Sequence, residues 1–167
     1  AVQGFGNAGS IAARLICDEG ATVVAVSDST GGIHAPGGLD VARVVAWKQE
    51  HGTVQGFPGA MDITNAEILE VDCNILIPAA LEGVITEDNA ARIKAPTIIE
   101  VANGPITSDA DKVLVAGGAT IVPDILANAG GVTVSYFEWV QGLQAFPWDL
   151  EEVQKNLRRF LYNAFDH

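Results

Sequence analysis

The sequence has few cysteines and no long apolar run. These two features argue against a disulfide-rich protein, a cysteine-based metal site and a membrane-spanning protein. Its two cysteines, Cys17 and Cys73, each lie in an apolar segment, so we expect buried thiols in a reducing, cytoplasmic compartment rather than a disulfide or a metal site. No apolar run approaches the ~20 residues that a membrane-spanning helix needs, and no secretory leader is visible. We therefore expect no metal and no membrane partner.

Basic side chains are also scarce. The 167 residues include 9 Lys and Arg against 21 Asp and Glu, which gives a formal net charge of -12. A surface this acidic repels the phosphates of DNA and RNA, so we expect no nucleic acid partner. High solubility and a high-salt habitat both favour such acidity, and the composition does not separate them.

Both ends of the sequence lack the signals that usually close a domain. Only Ala1, Val2 and Gln3 precede the first glycine turn, although strands average about 5–6 residues. Asp166 and His167 follow a helical pattern without a Gly or Pro stop signal. We expect residues 1–167 to form one domain that is a fragment of a longer protein, although trimmed termini would look the same.

The chain is organised around glycines with the spacing Gly4-x-Gly6-x-x-Gly9, which is typical of dinucleotide-binding turns. The first glycine allows the sharp bend, the second lets a pyrophosphate approach the backbone, and the third lets the helix pack on its strand. A helix beginning near Asn7 would point its free N–H groups at that pyrophosphate. On its own, the pattern also fits an ordinary strand-to-helix turn.

The residues that follow favour dinucleotide binding. Residues 8–16 have helical periodicity, and Gly20 is placed to end that helix. The apolar, β-branched segment 21–27 predicts a buried parallel strand. Asp28 comes next, roughly 20 residues beyond the glycines, where the fingerprint has a carboxylate for the ribose. The alternative for Asp28 is a helix cap or a turn residue.

Strand and helix patterns alternate along the rest of the chain. Further strands are predicted at 73–77, 97–101 and 120–122, with a short extended piece and turn at 53–59, and the glycine-rich segment 29–38 is predicted to be a loop. Helices are predicted at 39–49, 64–69, 86–93, 108–115, 132–143 and 149–166. This alternation indicates an α/β fold of the Rossmann type, a doubly wound parallel sheet with helices on both faces plus a C-terminal helix. Ligands of such sheets bind beyond the carboxyl ends of the strands.

Several motifs lie at these strand ends. They are Gly4-Phe5-Gly6-Asn7-Ala8-Gly9, Ser27-Asp28-Ser29, Gly56-Phe57-Pro58-Gly59-Ala60, Ile75-Leu76-Ile77-Pro78-Ala79-Ala80, Ala102-Asn103-Gly104-Pro105 and the run 122–139. Together they resemble the C-terminal NAD-binding domain of glutamate dehydrogenase, in the Glu/Leu/Phe/Val dehydrogenase family. The match covers essentially the whole chain, and the run 122–139 is its most specific part.

The resemblance implies oxidative deamination of L-glutamate to 2-oxoglutarate and ammonia by hydride transfer to NAD, in a full-length homohexamer. Asp28 would take the adenine-ribose hydroxyls, and Asn128 would orient the nicotinamide carboxamide. Val132 and Ser135 would reach the far end of glutamate, Ser135 as a donor to its side-chain carboxylate. The implied cofactor-binding residues are Gly4, Phe5, Gly6, Asn7, Ala8, Gly9, Asp28, Ser29, Ala79, Ala80, Asn103 and Asn128.

The residue types suit these roles, but each has a plainer alternative. A carboxylate at Asp28 repels a 2′-phosphate, which favours NAD over NADP. An amide such as Asn128 both donates and accepts hydrogen bonds, yet Asn103 and Asn128 also fit simple turn chemistry. Ser135 fits a hydrogen bond to the preceding helical turn.

The family's catalytic Lys and Asp lie in an N-terminal domain that this sequence does not match. We therefore expect no catalytic residue in the chain, which would bind the cofactor without catalysing the reaction. The lysines are expected on solvated helical faces; they are Lys48, Lys94, Lys112 and Lys155. Val101 stands where the family more often has glycine, a difference that would shift the loop of Asn103, and Glu82 receives no role.

Two other interpretations stay open. One is the NAD-binding domain of another amino-acid dehydrogenase, of the leucine or phenylalanine type. The other is a stand-alone dinucleotide-sensing module that needs no partner domain. A hydroxyl at Ser135 favours glutamate, since a site for an aliphatic side chain has no use for it.

Overall fold

The chain opens with strand β1 (Val2–Gln3), helix α1 (Asn7–Asp18) and strand β2 (Ala25–Ser27) in a computed structural model that describes residues 1–166. β1 and β2 are parallel neighbours, as the glycine fingerprint predicts. After α1 the chain turns at Gly20, whose φ of +91° is strained for residues with a side chain.

The next two strands correct the sequence interpretation. β3 (Gly32–His34) pairs antiparallel with β2, and β4 (Met61–Ile63) pairs antiparallel with β3. Residues 29–38 therefore do not form a plain loop, and the extended piece predicted at 53–59 is wrong because the strand lies just beyond it. Residues 32–34 form a strand despite the glycine because Gly32 packs closely against β2. A Cβ at this position would lie 3.0 Å from the Val26 carbonyl oxygen.

The remaining elements follow the predicted alternation. Helix α2 precedes β4, and after β4 a 3-10 helix, three parallel strands and five helices complete the chain. Their bounds are α2 (Val41–His51), the 3-10 helix (Glu67–Glu70), β5 (Ile75–Pro78), α3 (Glu87–Ala90), β6 (Thr97–Ile99), α4 (Ser108–Ala116), β7 (Thr120–Val122), α5 (Asp124–Ala127), α6 (Ala129–Gln144) and α7 (Leu150–Phe165).

The sheet has seven strands in the order β4-β3-β2-β1-β5-β6-β7. Strands β2, β1, β5, β6 and β7 run parallel, so the predicted doubly wound parallel sheet is confirmed, with an antiparallel pair added at one edge. The chain proceeds outward from β1 in both directions. This reversal makes the carboxyl ends of β1 and β5 the topological switch point, where open α/β sheets bind their ligands.

Two apolar cores lie on opposite faces of the sheet, because successive strand side chains point to opposite sides. Val26 and Ile77 pack with Ala13 of α1 and Val44 of α2 in one core. Their neighbours Ala25 and Leu76 pack in the other core, with the 3-10 helix, α3 and α4. Helices on both faces leave only the strand ends free to form a site.

Side-chain caps set the starts of several helices. Thr64 Oγ1 accepts from the N–H of Glu67 at 3.1 Å, and Glu67 Oε2 accepts from the N–H of Thr64 at 2.7 Å, so the two residues form a capping box. Thr86 and Asn89 form a second such box at α3. Asp149 caps α7 by accepting from the N–H of Glu152 at 2.8 Å.

Helices α6 and α7 pack against each other through Phe137 and Phe160, whose ring centroids lie 5.6 Å apart. Another side of α6 carries large exposed apolar residues at spacings of four, three and four. This α6 stripe consists of Val132, Tyr136, Trp139 and Leu143. The apolar side chains of α7 are half-buried at Val153, Leu157 and Leu161 and exposed at Phe160.

One tryptophan is held rigidly on α2. The indole of Trp47 stacks on His51 with ring centroids 3.7 Å apart, and its Nε1 donates to the Gln55 carbonyl oxygen at 3.2 Å.

Both cysteines are free and half-buried. Within residues 1–166, no helix combines the length and apolar character that crossing a membrane requires.

Candidate cofactor-binding site

The glycine turn has the shape that the sequence predicts. Gly4 has a φ of +98° and lies so close to the end of β5 that a Cβ would sit 2.7 Å from the Ala80 Cβ. A Cβ on Gly9 would collide with the Gly4 carbonyl oxygen. The turn between β1 and α1 is therefore fixed by backbone packing that only glycine permits at both positions.

The start of α1 is open to a ligand. Gly6 is the N-cap residue and supplies no side-chain hydrogen bond, and the first turn of the helix contains no acidic residue. Nothing lies within 4 Å of a Cβ built on Gly6. Free backbone N–H groups at a helix N-terminus favour a negatively charged group.

A cavity of about 760 Å³ lies beside this turn, at the switch point of the sheet. Its walls come from the ends of β1, β2 and β5, from Lys48 of α2, and from the segment around the 3-10 helix and α3. Seven of the predicted cofactor residues line it; they are Gly4, Phe5, Gly6, Asp28, Ser29, Ala79 and Ala80. Asn7, Ala8 and Gly9 form the first turn of α1 next to it.

Gln3 is a wall residue that the sequence analysis gave no role. Its side chain is buried, and among the described residues its Oε1 finds no hydrogen-bond partner. Buried polar atoms in proteins are nearly always paired. This oxygen is itself buried from solvent, so in this conformation Gln3 packs in the cavity wall without presenting the oxygen to a ligand.

Asp28 is held by the protein's own donors. Its Oδ1 accepts from the N–H and hydroxyl of Thr30 at 3.0 and 2.7 Å, and its Oδ2 accepts from the N–H of Val54 at 2.9 Å. Burial alone would raise the pKa of Asp28. The bonds from Thr30 and Val54 and the charge of Lys48 outweigh burial and hold that pKa below its usual range.

Lys48 was predicted to lie on a solvated helical face, and that prediction is wrong. Its Nζ lies 3.3 Å from Asp28 Oδ2 and donates to the Phe5 carbonyl oxygen at 2.8 Å. Its side chain is 28% exposed. The lysine therefore joins α2 to the glycine turn and brings a positive charge to the cavity. Composition and periodicity gave no signal for it, because only the fold shows where this long side chain ends.

A second group of predicted residues lies at the ends of β6 and β7. Asn128 Nδ2 donates to Asn103 Oδ1 at 2.6 Å and lies 3.4 Å from the Val101 carbonyl oxygen. The two asparagines therefore pair with each other instead of only closing their own turns. The N–H of Gly83 donates to the Gly104 carbonyl oxygen at 2.9 Å, which ties this group to the loop after Ala80.

Helix α6 begins at Ala129, three residues before the predicted start, so Asn128 lies at the junction of α5 and α6. Val132 and Ser135 are exposed on α6. The hydrogen bond to the preceding turn that was considered for Ser135 is instead made by Thr133, whose Oγ1 donates to the Ala129 carbonyl oxygen at 2.8 Å.

The whole chain, residues 1–167, matches the family model described as Glutamate/Leucine/Phenylalanine/Valine dehydrogenase. The chain belongs to this family. It is 58% identical over 167 residues to the glutamate dehydrogenase of Thermotoga maritima, with 99% of this chain and 40% of that protein covered. It is 56% identical to the NADP-specific glutamate dehydrogenase A1 of Halobacterium salinarum, with the same coverage.

Solved structures of the family share the fold. The hetero-hexameric glutamate dehydrogenase of Thermus thermophilus, in its Leu-bound form, superposes with a TM-score of 0.91 at 36% identity. The alignment covers 99% of this chain and 39% of that one. The chain thus spans about 40% of the length of the relatives that it matches.

Proposed function

We propose that this chain is the NAD(P)-binding domain of a glutamate dehydrogenase, which oxidatively deaminates L-glutamate to 2-oxoglutarate and ammonia. The observation that carries the proposal is the start of α1, which has no side-chain cap and is packed closely on β1 through Gly4 and Gly9. It lies beside a cavity of about 760 Å³ at the switch point of the sheet. The relatives named glutamate dehydrogenase, at 58% and 56% identity, support glutamate over leucine or phenylalanine as the substrate.

The residues present fit a dinucleotide. Residues 4–9 would hold the pyrophosphate, with Asp28 and Ser29 beside the adenine ribose. Ala79, Ala80 and Asn103 would lie on the nicotinamide-ribose side, and Asn128 would orient the nicotinamide carboxamide. When bound, the cofactor supplies the acceptor for hydride from the substrate Cα.

The preference for NAD over NADP depends on the charge of Asp28 and on its neighbour Lys48. A carboxylate at Asp28 disfavours a 2′-phosphate, but its charge is compensated by Lys48 at 3.3 Å, and one relative at 56% identity is NADP-specific by name. We therefore expect NAD to be preferred over NADP by a small factor. Parallel titrations of NADH and NADPH measure it, and tighter binding of NADPH would overturn this preference.

The substrate assignment depends on Val132 and Ser135. Both are exposed on α6, and Ser135 keeps its hydroxyl free to donate to the distal carboxylate of glutamate. The test is side-by-side turnover of glutamate, leucine and phenylalanine by the full-length protein. A Ser135→Ala variant should raise KM for glutamate with little effect on cofactor binding. Faster turnover of leucine by the wild-type protein would show the alternative dehydrogenase.

We propose that the 167-residue chain binds cofactor but does not catalyse. Amine chemistry needs an acid or base close to the reacting carbon, and the ionisable groups of the cavity, Asp28 and Lys48, pair with each other on the side proposed for the adenosine. Calorimetric titration of the purified chain with NADH tests binding. Glutamate-dependent reduction of NAD by the same chain would contradict the second half of the proposal.

We propose that the full-length protein is a cytoplasmic homohexamer. The hetero-hexameric glutamate dehydrogenase that superposes with a TM-score of 0.91 supports six subunits, and a single kind of subunit is part of the proposal. Light scattering of the full-length protein measures its oligomeric state. The coding sequence upstream of Ala1 separates the enzyme from a stand-alone dinucleotide-sensing module. A lysine-bearing upstream domain supports the enzyme, and a start codon close to Ala1 supports the module.

A further inference from the structure

A buried glutamate lies behind the asparagine pair and has no role in the proposed chemistry. Glu100 follows β6 and is 8% exposed. Its Oε2 accepts from the N–H of Asp124 at 3.0 Å. Glutamate is among the residues least often fully buried, so its place here calls for a specific partner, and the backbone of Asp124 is that partner.

Asp124 connects Glu100 to both predicted nicotinamide ligands. Its Oδ2 accepts from the N–H of Gly104 at 2.8 Å, directly after Asn103. Its carbonyl oxygen accepts from the N–H of Asn128 at 2.9 Å. The side chains of the two asparagines then meet at 2.6 Å. These contacts form a closed ring of hydrogen bonds that runs from Asp124 through the Asn103 loop and Asn128 and back to Asp124.

Glu100 anchors this ring to the sheet. The loop of Asn103 and the junction before α6 belong to different segments, and Asp124 is the residue that bonds to both. The backbone of Glu100 lies at the end of β6, where the Glu100 N–H donates to the Val122 carbonyl oxygen at 3.0 Å. The hydrogen bond from the Asp124 N–H to the Glu100 carboxylate therefore links Asp124 to the sheet. A shift of Asp124 would move both asparagines together.

The electrostatics of the pair match such a role. Burial raises the pKa of Glu100, and the nearby carboxylates of Asp124 and Asp111 raise it further. Hydrogen bonds from the N–H groups of Asp124 and Ile106 act in the opposite direction without reversing the shift. The raised pKa means that ionisation of Glu100 lowers the stability of the folded state.

We propose that Glu100 is a positioning residue for the nicotinamide end of the cofactor, acting through Asp124 on Asn103 and Asn128. This inference rests on the proposed function, since it takes the two asparagines as ligands of the nicotinamide half. In this role Glu100 affects cofactor binding through the positions of Asn103 and Asn128, and not only through the stability of the domain. Loss of the Glu100 acceptor should weaken binding of the nicotinamide half and spare the adenosine half.

The experiment compares two ligands in the natural full-length protein. NADH carries both halves of the cofactor, and ADP-ribose lacks the nicotinamide. Glu100→Leu removes the acceptor but fills the space, and Glu100→Gln keeps an oxygen that accepts from the Asp124 N–H. Calorimetry gives the affinity of each variant for each ligand. Asp111→Asn is the matched control, because it removes a nearby carboxylate that makes no bond within the ring.

We expect Glu100→Leu to lower the affinity for NADH about tenfold, as for loss of a hydrogen bond to a charged group. Its affinity for ADP-ribose should stay within about twofold. Glu100→Gln should restore most of the NADH affinity, and Asp111→Asn should resemble the wild type for both ligands. If Glu100→Leu does not fold, Glu100→Ala gives the same comparison, with ADP-ribose binding as the check that the domain is intact.

Equal losses for NADH and ADP-ribose would show a structural role only and overturn the inference. An unchanged NADH affinity in Glu100→Leu would overturn it as well, while leaving the proposed function in place. A wild-type protein that binds neither ligand would overturn the proposed function itself, together with this inference.

Discussion

Lys48 places a positive charge against the carboxylate of Asp28, on the side of the cavity that we propose for the adenosine. The two groups are 3.3 Å apart, and the carboxylate is 6% exposed. The Coulomb interaction is strong at such a partly buried site. The carboxylate alone would repel a 2′-phosphate, and the lysine reduces that repulsion. If Asp28 lies beside the adenine ribose as proposed, we expect the choice between NAD and NADP to depend on this pair of residues and not on Asp28 alone.

Replacement of Lys48 by Met should sharpen the preference for NAD. Without the ammonium group, Asp28 keeps its full charge, and NADPH should bind about fivefold more weakly relative to NADH. Fluorescence titration of both reduced cofactors measures the ratio. Lys112→Met is the control, because Lys112 pairs with Asp109 on the exposed surface. An unchanged ratio in Lys48→Met would show that the lysine does not act on the cofactor.

Asp28 should also make stability depend on pH. Its pKa is lowered in the folded protein, so its contribution is present above the unfolded-state pKa of about 3.9 and is lost as the pH falls through the folded-state pKa. Asp28→Asn should cost about 1–3 kcal/mol at pH 7, and the difference from wild type should disappear at acidic pH. Urea unfolding over a pH series measures this effect.

The control for that series is Asp109→Asn, which removes a carboxylate from an exposed pair on α4. Exposed pairs contribute little to stability, so its unfolding curves should follow those of the wild type across the series. A difference between Asp28→Asn and wild type that stays constant with pH would contradict the assignment.

Helix α1 is joined to β1 through contact between two backbones at Gly9 and Gly4. A Cβ on Gly9 would collide with the Gly4 carbonyl oxygen, so Gly9→Ala must push the helix away from the strand. We expect a loss of about 1–3 kcal/mol in the free energy of unfolding, as for other overpacked sites. Denaturant unfolding measures it.

Gly142→Ala is the matched control for this prediction. Gly142 also lies in a helix, but nothing is found within 4 Å of a Cβ built on it. Alanine is the better helix former by roughly 1 kcal/mol, so this variant should be at least as stable as the wild type. Equal losses in both variants would show that the contact at Gly9 is not the cause.

Elements with local signals could be predicted from the sequence. The glycine turn, α1 and β2 follow from spacing and composition, and the caps of the 3-10 helix, α3 and α7 follow from short motifs. β3 could not be predicted, because Gly32 makes a strand only through its neighbours in the sheet. Seven of the residues that line the cavity could be predicted because they follow strands or belong to the glycine turn. Lys48 and Glu100 could not, because their positions depend on contacts between distant segments.

At the level of the whole molecule, the α6 stripe is an apolar surface that no other element packs against within residues 1–166. Val132, Tyr136, Trp139 and Leu143 are all exposed, and their spacing is the one with which helices pack against each other. Apolar surface of this kind drives association in water. In the 167-residue chain, the stripe should therefore promote contact between copies of the chain.

The isolated chain should self-associate at high concentration, and the double variant Trp139→Gln, Leu143→Gln should reduce this association. Sedimentation velocity over a concentration series measures both. Val115→Gln is the control, since Val115 is an exposed apolar residue on α4, outside the stripe. A wild-type chain that stays monomeric throughout would refute the prediction.

The fluorescence of Trp47 on α2 can report on ligand binding in the cavity. Trp47 precedes Lys48, whose ammonium group touches the glycine turn, and its ring is clamped between His51 and the Gln55 carbonyl. Reduced nicotinamide absorbs light in the range where tryptophan emits. Occupancy of the cavity should thus quench the emission of Trp47 by energy transfer, which allows cofactor binding to be followed without a label.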